Sequence, residues 1–399
     1  MSRSSMTRLK FGWNLGRRHF STDRPATKVV LLHFGFPRTE FYAKDFLFKR
    51  ALLYYNVPKR IQQFIPTTLM SNDTVRRCIE RYGERESFEA TVNGLSKEVE
   101  TSLNRLVPEY GQISVSSLFY FDDLSGTFQD RVNSILRERS SHIVFMPLYS
   151  HFSNSLSGAL IRLVAQQIEE STIPLSGSKD NSQRFLPNSD ISFRVSLIHR
   201  WNSHPMISQF WRTNLEDKVK QFEGVLFVAP VVVEIFIKNT GFYFLSFQRG
   251  CGNTEYRHSV WANCERVMSD LGHPVPWKIG FYNSWDDWPI PIACEGYSCQ
   301  SRSLIGKHPF EKRVAVVPIT ALLPDFDTFS RLPDLLQNTN KKSLAAKLIE
   351  PPSNSPIVAQ GLTEIIKNHL LGRKHAQIQL LAQSKKNQVI QDVFINNSG

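Results

Sequence analysis

Seven short apolar runs punctuate the chain: KVVLLHFG (28–35), QISVSSLFYF (112–121), HIVFMPLYS (142–150), DISFRVSLI (190–198), GVLFVAP (224–230), WKIGFYN (277–283) and RVAVVPITAL (313–322). Each is rich in β-branched or aromatic residues, has the length of a strand and is apolar on both faces. Parallel sheets covered by helices on both sides produce this pattern. Amphipathic stretches at 72–82, 95–107, 127–140, 155–170, 206–222, 256–271 and 355–371 read as the helices between them. Strand alternating with helix predicts a doubly wound α/β fold. The polar SGSKDNSQ loop (176–183) reads as the seam between two lobes, and EPPSNSP (350–356) as the lead into a last helix. The expected plan is a lobe over 27–185, a second over 186–350 and a closing helix over 351–372. Ligands of such folds bind at the carboxyl ends of the strands.

One run carries an anomaly at that end. FVAPVVVEIF (227–236) reads as a buried strand, yet Pro230 stands at its centre. Proline has no N–H for a ladder and no group that takes a proton or binds a metal. No G-x-G-x-x-G follows the first strand and no G-x-x-x-x-G-K-[ST] occurs, so nothing supports nucleotide binding.

Charge changes the picture only at the ends. The net charge is +12 over 399 residues. Residues 1–25 carry +5 of it, with Arg3, Arg8, Lys10, Arg17, Arg18 and Arg24 against Asp23. Residues 373–399 carry +3, and the remaining +4 is spread over the middle, which argues against nucleic acid. The first 25 residues are Arg- and Ser-rich, and Leu9, Phe11, Trp13 and Leu15 lie among the basic residues. A mitochondrial targeting segment over 1–26 has this composition, as does a disordered basic tail; residues 373–399 read as a second basic tail. No run reaches the roughly 18 apolar residues that span a bilayer. Cys78, Cys251, Cys264, Cys294 and Cys299 include no C-x-x-C pair, so neither a disulfide framework nor a metal site is expected.

The strand exits, taken in order, read HFGFPRTE (33–40), PLYSHFSNSLSGA (147–159), IHRWNSHP (198–205), VLFVAP (225–230) and VPITALLPDFDTF (317–329). The series resembles the ferrochelatases, which insert ferrous iron into protoporphyrin. Their corresponding motifs are N-F-G-G-P-E-T, L-Y-P-x-Y-S-x-x-T-T-G-S, D-R-W-x-x-H, F-S-A-H-S-L-P and P-I-x-F-x-x-D-H-I-E-T-L. The match is collinear from about residue 28 to 371. The resemblance implies two Rossmann-like lobes with parallel four-stranded sheets, a porphyrin cleft between them, and contact with the mitochondrial inner membrane through apolar lips. Residues 46–66 suit a lip, with Phe46, Leu47, Leu52, Leu53 and Phe64 among Lys49, Arg50, Lys59 and Arg60. They equally suit an amphipathic helix packed on the sheet.

Against the family motifs the chemical positions have drifted. The histidine of F-S-A-H-S-L-P, which helps remove the pyrrole protons, is Pro230 here. In the acidic track, Asp325 replaces a histidine and Asp327 a longer carboxylate. Tyr120 survives with Phe119 in place of an arginine, the G-G-G-S-P loop is reduced to GERES (83–87), and the basic pair after FI is absent from FIPTTLM (64–70). The remaining candidates for chemistry are His204, Asp325, Asp327 and Glu364; His204 also reads as a satisfied structural histidine. Asp325 and Asp327 are close carboxylates of the kind whose pKa rises toward neutral in a desolvated cleft. Tyr120, Tyr149, Ser153, Trp201 and Trp288 are the candidate porphyrin contacts, Trp285 lies beside the last of them in SWDDWPIP (284–291), and His151 falls near the cleft mouth. Both tryptophans equally read as core.

The resemblance therefore implies a mitochondrial protein of haem metabolism, on the matrix side of the inner membrane. It would bind porphyrin or haem, with weak or no iron insertion. An active ferrochelatase making haem b with a rearranged base is the alternative, and a third reading keeps the fold for interactions without a tetrapyrrole. The expected ligands are protoporphyrin or haem, with Fe2+ as a further candidate and no resident metal. A homodimer or a haem-pathway partner is a candidate partner. Relatives that carry a 2Fe-2S cluster place cysteines after the last helix; this chain has none beyond Cys299, which implies no such cluster there.

Overall fold

A computed structural model describes residues 27–36, 42–54, 76, 80, 88–122, 126–153, 156–175, 182–187, 189, 191–230, 235–237, 245–247, 254–282, 313–333, 336 and 345–372. Both terminal segments, most of 55–87 and all of 283–312 lie outside the described residues.

The chain opens with β1 (Thr27–Gly35), α1 (Ala43–Tyr54), α2 (Phe88–Leu106), β2 (Ile113–Phe121), α3 (Phe128–Arg137), β3 (His142–Pro147) and α4 (Ser157–Ser171). Two short strands follow, β4 (Ile173–Pro174) and β5 (Gln183–Phe185), then β6 (Ser192–Leu197) and α5 (Pro205–Leu215). The second half comprises β7 (Gly224–Pro230), a small hairpin of β8 (Ile235–Ile237) and β9 (Leu245–Phe247), α6 (Thr254–Asp270), β10 (Trp277–Tyr282), β11 (Arg313–Pro318), β12 (Ala345–Leu348) and α7 (Pro356–Leu370).

All seven apolar runs form strands. The first sheet has the order β2-β1-β3-β6-β5-β4 and the second β10-β7-β11-β12. The pairs β2-β1, β1-β3 and β3-β6 are parallel, as is every pair of the second sheet. Parallel neighbours need crossovers, which the intervening helices supply, and strands covered on both sides are apolar on both faces. Hence Val29, Val30, Leu31 and Leu32 are all buried along β1. Together with Val225, Phe227 and Ala229 of β7 they belong to one continuous core.

The lobe boundary differs from the sequence expectation. β6 pairs in parallel with β3 from His142 opposite Arg194 to Phe145 opposite Leu197, so the first sheet extends to residue 197 and the second begins at Gly224. The polar stretch read as a seam is followed by β5, which turns back antiparallel on β6. Polarity marks a turn, but does not say which sheet the next strand joins. β12 has no counterpart among the expected strands, whereas α1 forms a helix over the first part of 46–66, one of the two readings of that segment. Within the segment read as a lip, Phe46, Leu47 and Leu52 of α1 are buried in the fold; residues 55–66 lie outside the described residues.

α7 packs against α2 and α5, returning the end of the chain to the first lobe. Polar contacts fasten it there: Ser196 Oγ lies 2.7 Å from His142 Nε2 and 2.8 Å from His369 Nε2, and the Tyr110 hydroxyl donates to the Leu370 carbonyl.

Candidate functional site

The strand exits converge on one cleft. β1 contributes His33, Phe34 and Gly35, and the turn after β3 contributes Tyr149, Ser150 and His151. Pro230 enters from β7, Tyr282 from β10, Tyr256 from α6, and Phe46 and Arg50 from α1. Thr320, Ala321 and Asp325 to Asp327 close the wall after β11. The carboxyl ends of strands are where open α/β sheets bind ligands.

The turn at β1 depends on one glycine. Gly35 has φ +85, and a Cβ there would lie 2.0 Å from the Phe121 carbonyl oxygen. Its N–H donates to His33 Nδ1 at 3.0 Å. A backbone N–H can only donate, so in the neutral ring the proton is on Nε2, which lies 3.0 Å from Tyr149 Oη. Burial, reinforced by the Arg50 charge, lowers the His33 pKa to about 3 and keeps the ring neutral. Tyr149 Oη also receives the Phe34 N–H at 3.4 Å, which leaves the hydroxyl proton free to be donated. Burial, with Asp325 nearby, raises the Tyr149 pKa well above its ordinary value.

His151 is the second imidazole in the cleft and is equally buried. Asn263 Nδ2 lies 2.8 Å from its Nε2 and Ser150 Oγ 2.9 Å from its Nδ1, and burial lowers its pKa to about 3.

The acidic side of the cleft is built differently from an open pair of carboxylates. Asp327 Oδ2 accepts from Arg50 Nη2 at 2.9 Å and from the Tyr282 hydroxyl at 3.3 Å. Both members of the Arg50–Asp327 pair are buried, and the guanidinium lies 4.8 Å from the centre of the Phe326 ring. Asp327 Oδ1 is buried without a hydrogen-bond partner. Asp325 Oδ1 accepts the Thr328 N–H at 3.0 Å. Burial and the neighbouring Asp327 charge raise the Asp325 pKa to about 6. Burial disfavours the Arg50 charge, but Asp327, Tyr149 and Asp325 outweigh it and raise the pKa above the ordinary arginine value.

Pro230 suits its place. It is the last residue of β7, opposite Tyr282, and lies beyond the last pair of β7 with β11, at Val228. Its carbonyl accepts from the Tyr256 hydroxyl at 3.2 Å. At a strand end the missing N–H is tolerated, and the side chain presents only a ring to the cleft.

Of the residues singled out from the sequence, Tyr149, Asp325, Asp327 and His151 line this cleft together with Pro230. His204 and Glu364 meet elsewhere, Nε2 to Oε2 at 3.6 Å. His204 is the N-cap of α5, where its Nδ1 accepts the Met206 N–H at 3.3 Å. Trp201 is buried and donates from Nε1 to the Pro147 carbonyl at 3.1 Å. Ser153 is buried in the turn before α4, where its Oγ accepts the Leu156 N–H. Tyr120 packs edge-on against Phe34 and Phe128, and burial raises its pKa to about 12. None of these five is among the lining residues. Trp285 and Trp288 lie outside the described residues, as do GERES, FIPTTLM and every cysteine except Cys264, which is buried.

The sequence reading missed His33, Arg50, Tyr256 and Tyr282 as cleft residues. His33 carried a signal, since it stands in HFGFP where the family motif has asparagine. Arg50 carried none, being one of several basic residues in an amphipathic stretch. Among the described residues no group of three or more His, Cys, Asp or Glu side chains is placed to hold a metal ion.

The family model for ferrochelatase matches residues 26–370. The chain belongs to the ferrochelatase family. It is 20% identical over 376 residues to the mitochondrial ferrochelatase of Drosophila melanogaster, covering 91% of this chain and 88% of that one. It is 21% identical over 356 residues to the ferrochelatase of Geotalea daltonii, covering 86% and 97%. Among solved structures it is similar to the sirohydrochlorin chelatase SirB of Bacillus subtilis subspecies spizizenii in complex with cobalt, at 8% identity and a TM-score of 0.41 over 86% of this chain and 94% of that one. Membership supports the family's kind of reaction, metal chelation by a tetrapyrrole. No described helix is long and apolar enough to cross a membrane.

Proposed function

We propose that this ferrochelatase-family member binds porphyrin or haem in the cleft at the strand exits and inserts iron weakly or not at all. The observation that carries this reading is the fate of the proton-handling positions. Pro230 stands where the family places its imidazole, and Asp327, in the acidic track, is held by Arg50 and Tyr282. Metal insertion displaces two pyrrole N–H protons, and each needs an acceptor. A missing general base typically costs about 10² to 10⁴ in rate. The imidazoles of His33 and His151 do not fill the gap, because each ring is neutral with both nitrogens in hydrogen bonds. The cleft still offers flat apolar and aromatic walls in Phe34, Phe46, Phe326, Tyr256 and Tyr282. The basic, Ser-rich residues 1–26 support mitochondrial targeting, and the family resemblance supports a peripheral place on the matrix side of the inner membrane.

One observation favours the second reading, an active ferrochelatase that makes haem from Fe2+ and protoporphyrin. Asp325, with a pKa raised to about 6, is ionised at neutral pH and has a proton affinity nearer the working pH than an ordinary carboxylate. It would accept the pyrrole protons one at a time and pass them to solvent.

Porphyrin titration together with anaerobic insertion of ferrous iron or zinc separates the readings, with Pro230→His beside the wild type. We expect saturable porphyrin binding and no insertion above buffer in the wild type. Wild-type insertion clearly above buffer would establish the active reading. If no tetrapyrrole changes its fluorescence or the melting temperature, both readings fall, and the fold serves interactions alone.

A further inference from the structure

Arg50 is a permanent positive charge built into the cleft wall. It comes from α1, whose apolar residues Phe46, Leu47 and Leu52 are buried around it, so the helix is held in place by packing. Phe46 packs on Phe121 and on Phe326, the ring over which the guanidinium lies. The guanidinium reaches across to a carboxylate 277 residues away. One oxygen of Asp327 is engaged by Arg50 and Tyr282, and the other, Oδ1, is buried with no hydrogen-bond partner. A buried carboxylate oxygen without a donor is costly, and a ligand N–H or O–H would satisfy it. A divalent cation would have to bind that oxygen while standing beside the guanidinium, where water is excluded and like charges repel strongly. Asp325 Oδ1 is already engaged by the Thr328 N–H.

We infer that Arg50 is the specificity-determining residue of this cleft, a resident cation at Asp327 through which the site accepts the neutral hydrogen-bond donors of a tetrapyrrole and rejects free divalent metal. The inference rests on the tetrapyrrole reading and deepens it. It locates the loss of metal handling in Arg50 of α1 as well as at Pro230, where the family motif has its histidine.

The test uses the full chain and Zn2+ alone as the probe, with affinity read by competition against a chromophoric zinc indicator. Arg50→Met keeps the apolar stem and removes the charge, Arg50→Lys keeps a cation, and Arg50→Met/Asp327→Asn removes the oxygen that would bind the metal. We expect Arg50→Met to bind Zn2+ at least tenfold more tightly than wild type, Arg50→Lys to behave as wild type, and the double variant to lose the gain. Equal Zn2+ affinity in wild type and a folded Arg50→Met would overturn the inference. A comparison of wild type with Asp327→Asn decides the matter should Arg50→Met fail to fold. Equal affinities are expected, and a tenfold loss in Asp327→Asn would show that Asp327 is open to metal despite Arg50. Porphyrin titration of the same wild-type sample runs in parallel. An unchanged porphyrin fluorescence sinks the tetrapyrrole reading, while the zinc comparison still decides the role of Arg50.

Discussion

His33 Nε2 lies 3.0 Å from Tyr149 Oη while the Gly35 N–H occupies Nδ1, so two strand exits of the first sheet are joined through a single neutral imidazole. The ring has no open acceptor nitrogen. It behaves as a strut between β1 and the turn after β3, and protonating it would break the Gly35 contact.

The pH dependence follows with a definite sign. His33 and His151 have folded pKa values of about 3, below the unfolded value of 6.5, so the stability they contribute is complete above pH 6.5 and is lost as pH falls toward 3. His33→Gln, which can still accept the Gly35 N–H, is expected to flatten this acid limb by about 1.4 kcal/mol per pH unit, one proton's worth. Urea unfolding between pH 4 and 6.5 measures it; an unchanged slope would mean the ring is already charged in the folded state.

Asp325 acts in the opposite direction. Its folded pKa of about 6 lies above the ordinary 3.8, so its contribution favours the folded state below pH 3.8 and is lost as pH rises to 6. The stability of Asp325→Asn relative to wild type is therefore expected to grow between pH 4 and 6 and to level off above 6. A difference that does not vary with pH counts against the raised pKa.

Removing one member of the buried Arg50–Asp327 pair leaves an uncompensated charge. Arg50→Met is expected to cost about 3 to 5 kcal/mol in chemical denaturation, and Arg50→Met/Asp327→Leu to recover most of it. A single-variant cost below about 1 kcal/mol would place the pair in contact with solvent.

Gly35→Ala combines a left-handed φ with a Cβ 2.0 Å from the Phe121 carbonyl oxygen. A loss of well over 1 kcal/mol is expected, read as a fall in Tm, with porphyrin affinity falling too because His33 and Phe34 flank the turn.

His204→Ala removes an N-cap and a 3.6 Å contact with exposed Glu364. A loss of about 1 kcal/mol is expected, with porphyrin titration unchanged. Abolished tetrapyrrole binding in a fully stable variant would return His204 to the site.

What could be read before folding was local or periodic. Each of the seven strands is declared by a short run rich in β-branched and aromatic residues, most cleanly in β1, β3, β7 and β11, which are buried along nearly their whole length. α7 was legible from its apolar period and from Pro356 at its first turn. Four residues of the cleft, Tyr149, His151, Asp325 and Asp327, and the anomaly at Pro230 were visible because they stand at strand exits inside recognisable motifs. The assignment of β6 to the first sheet was not visible, since apolar strands carry no mark of which partner they will pair with. His204 and Glu364 drew attention as ionisable residues in a motif, yet one caps a helix and the other faces solvent beside it. The sequence could show that Asp327 was an acid near a cleft. That its charge is spent on Arg50 was decided only when α1 packed against the turn after β11, because a pairing across 277 residues is set by the geometry of the packed core and leaves no trace in local composition.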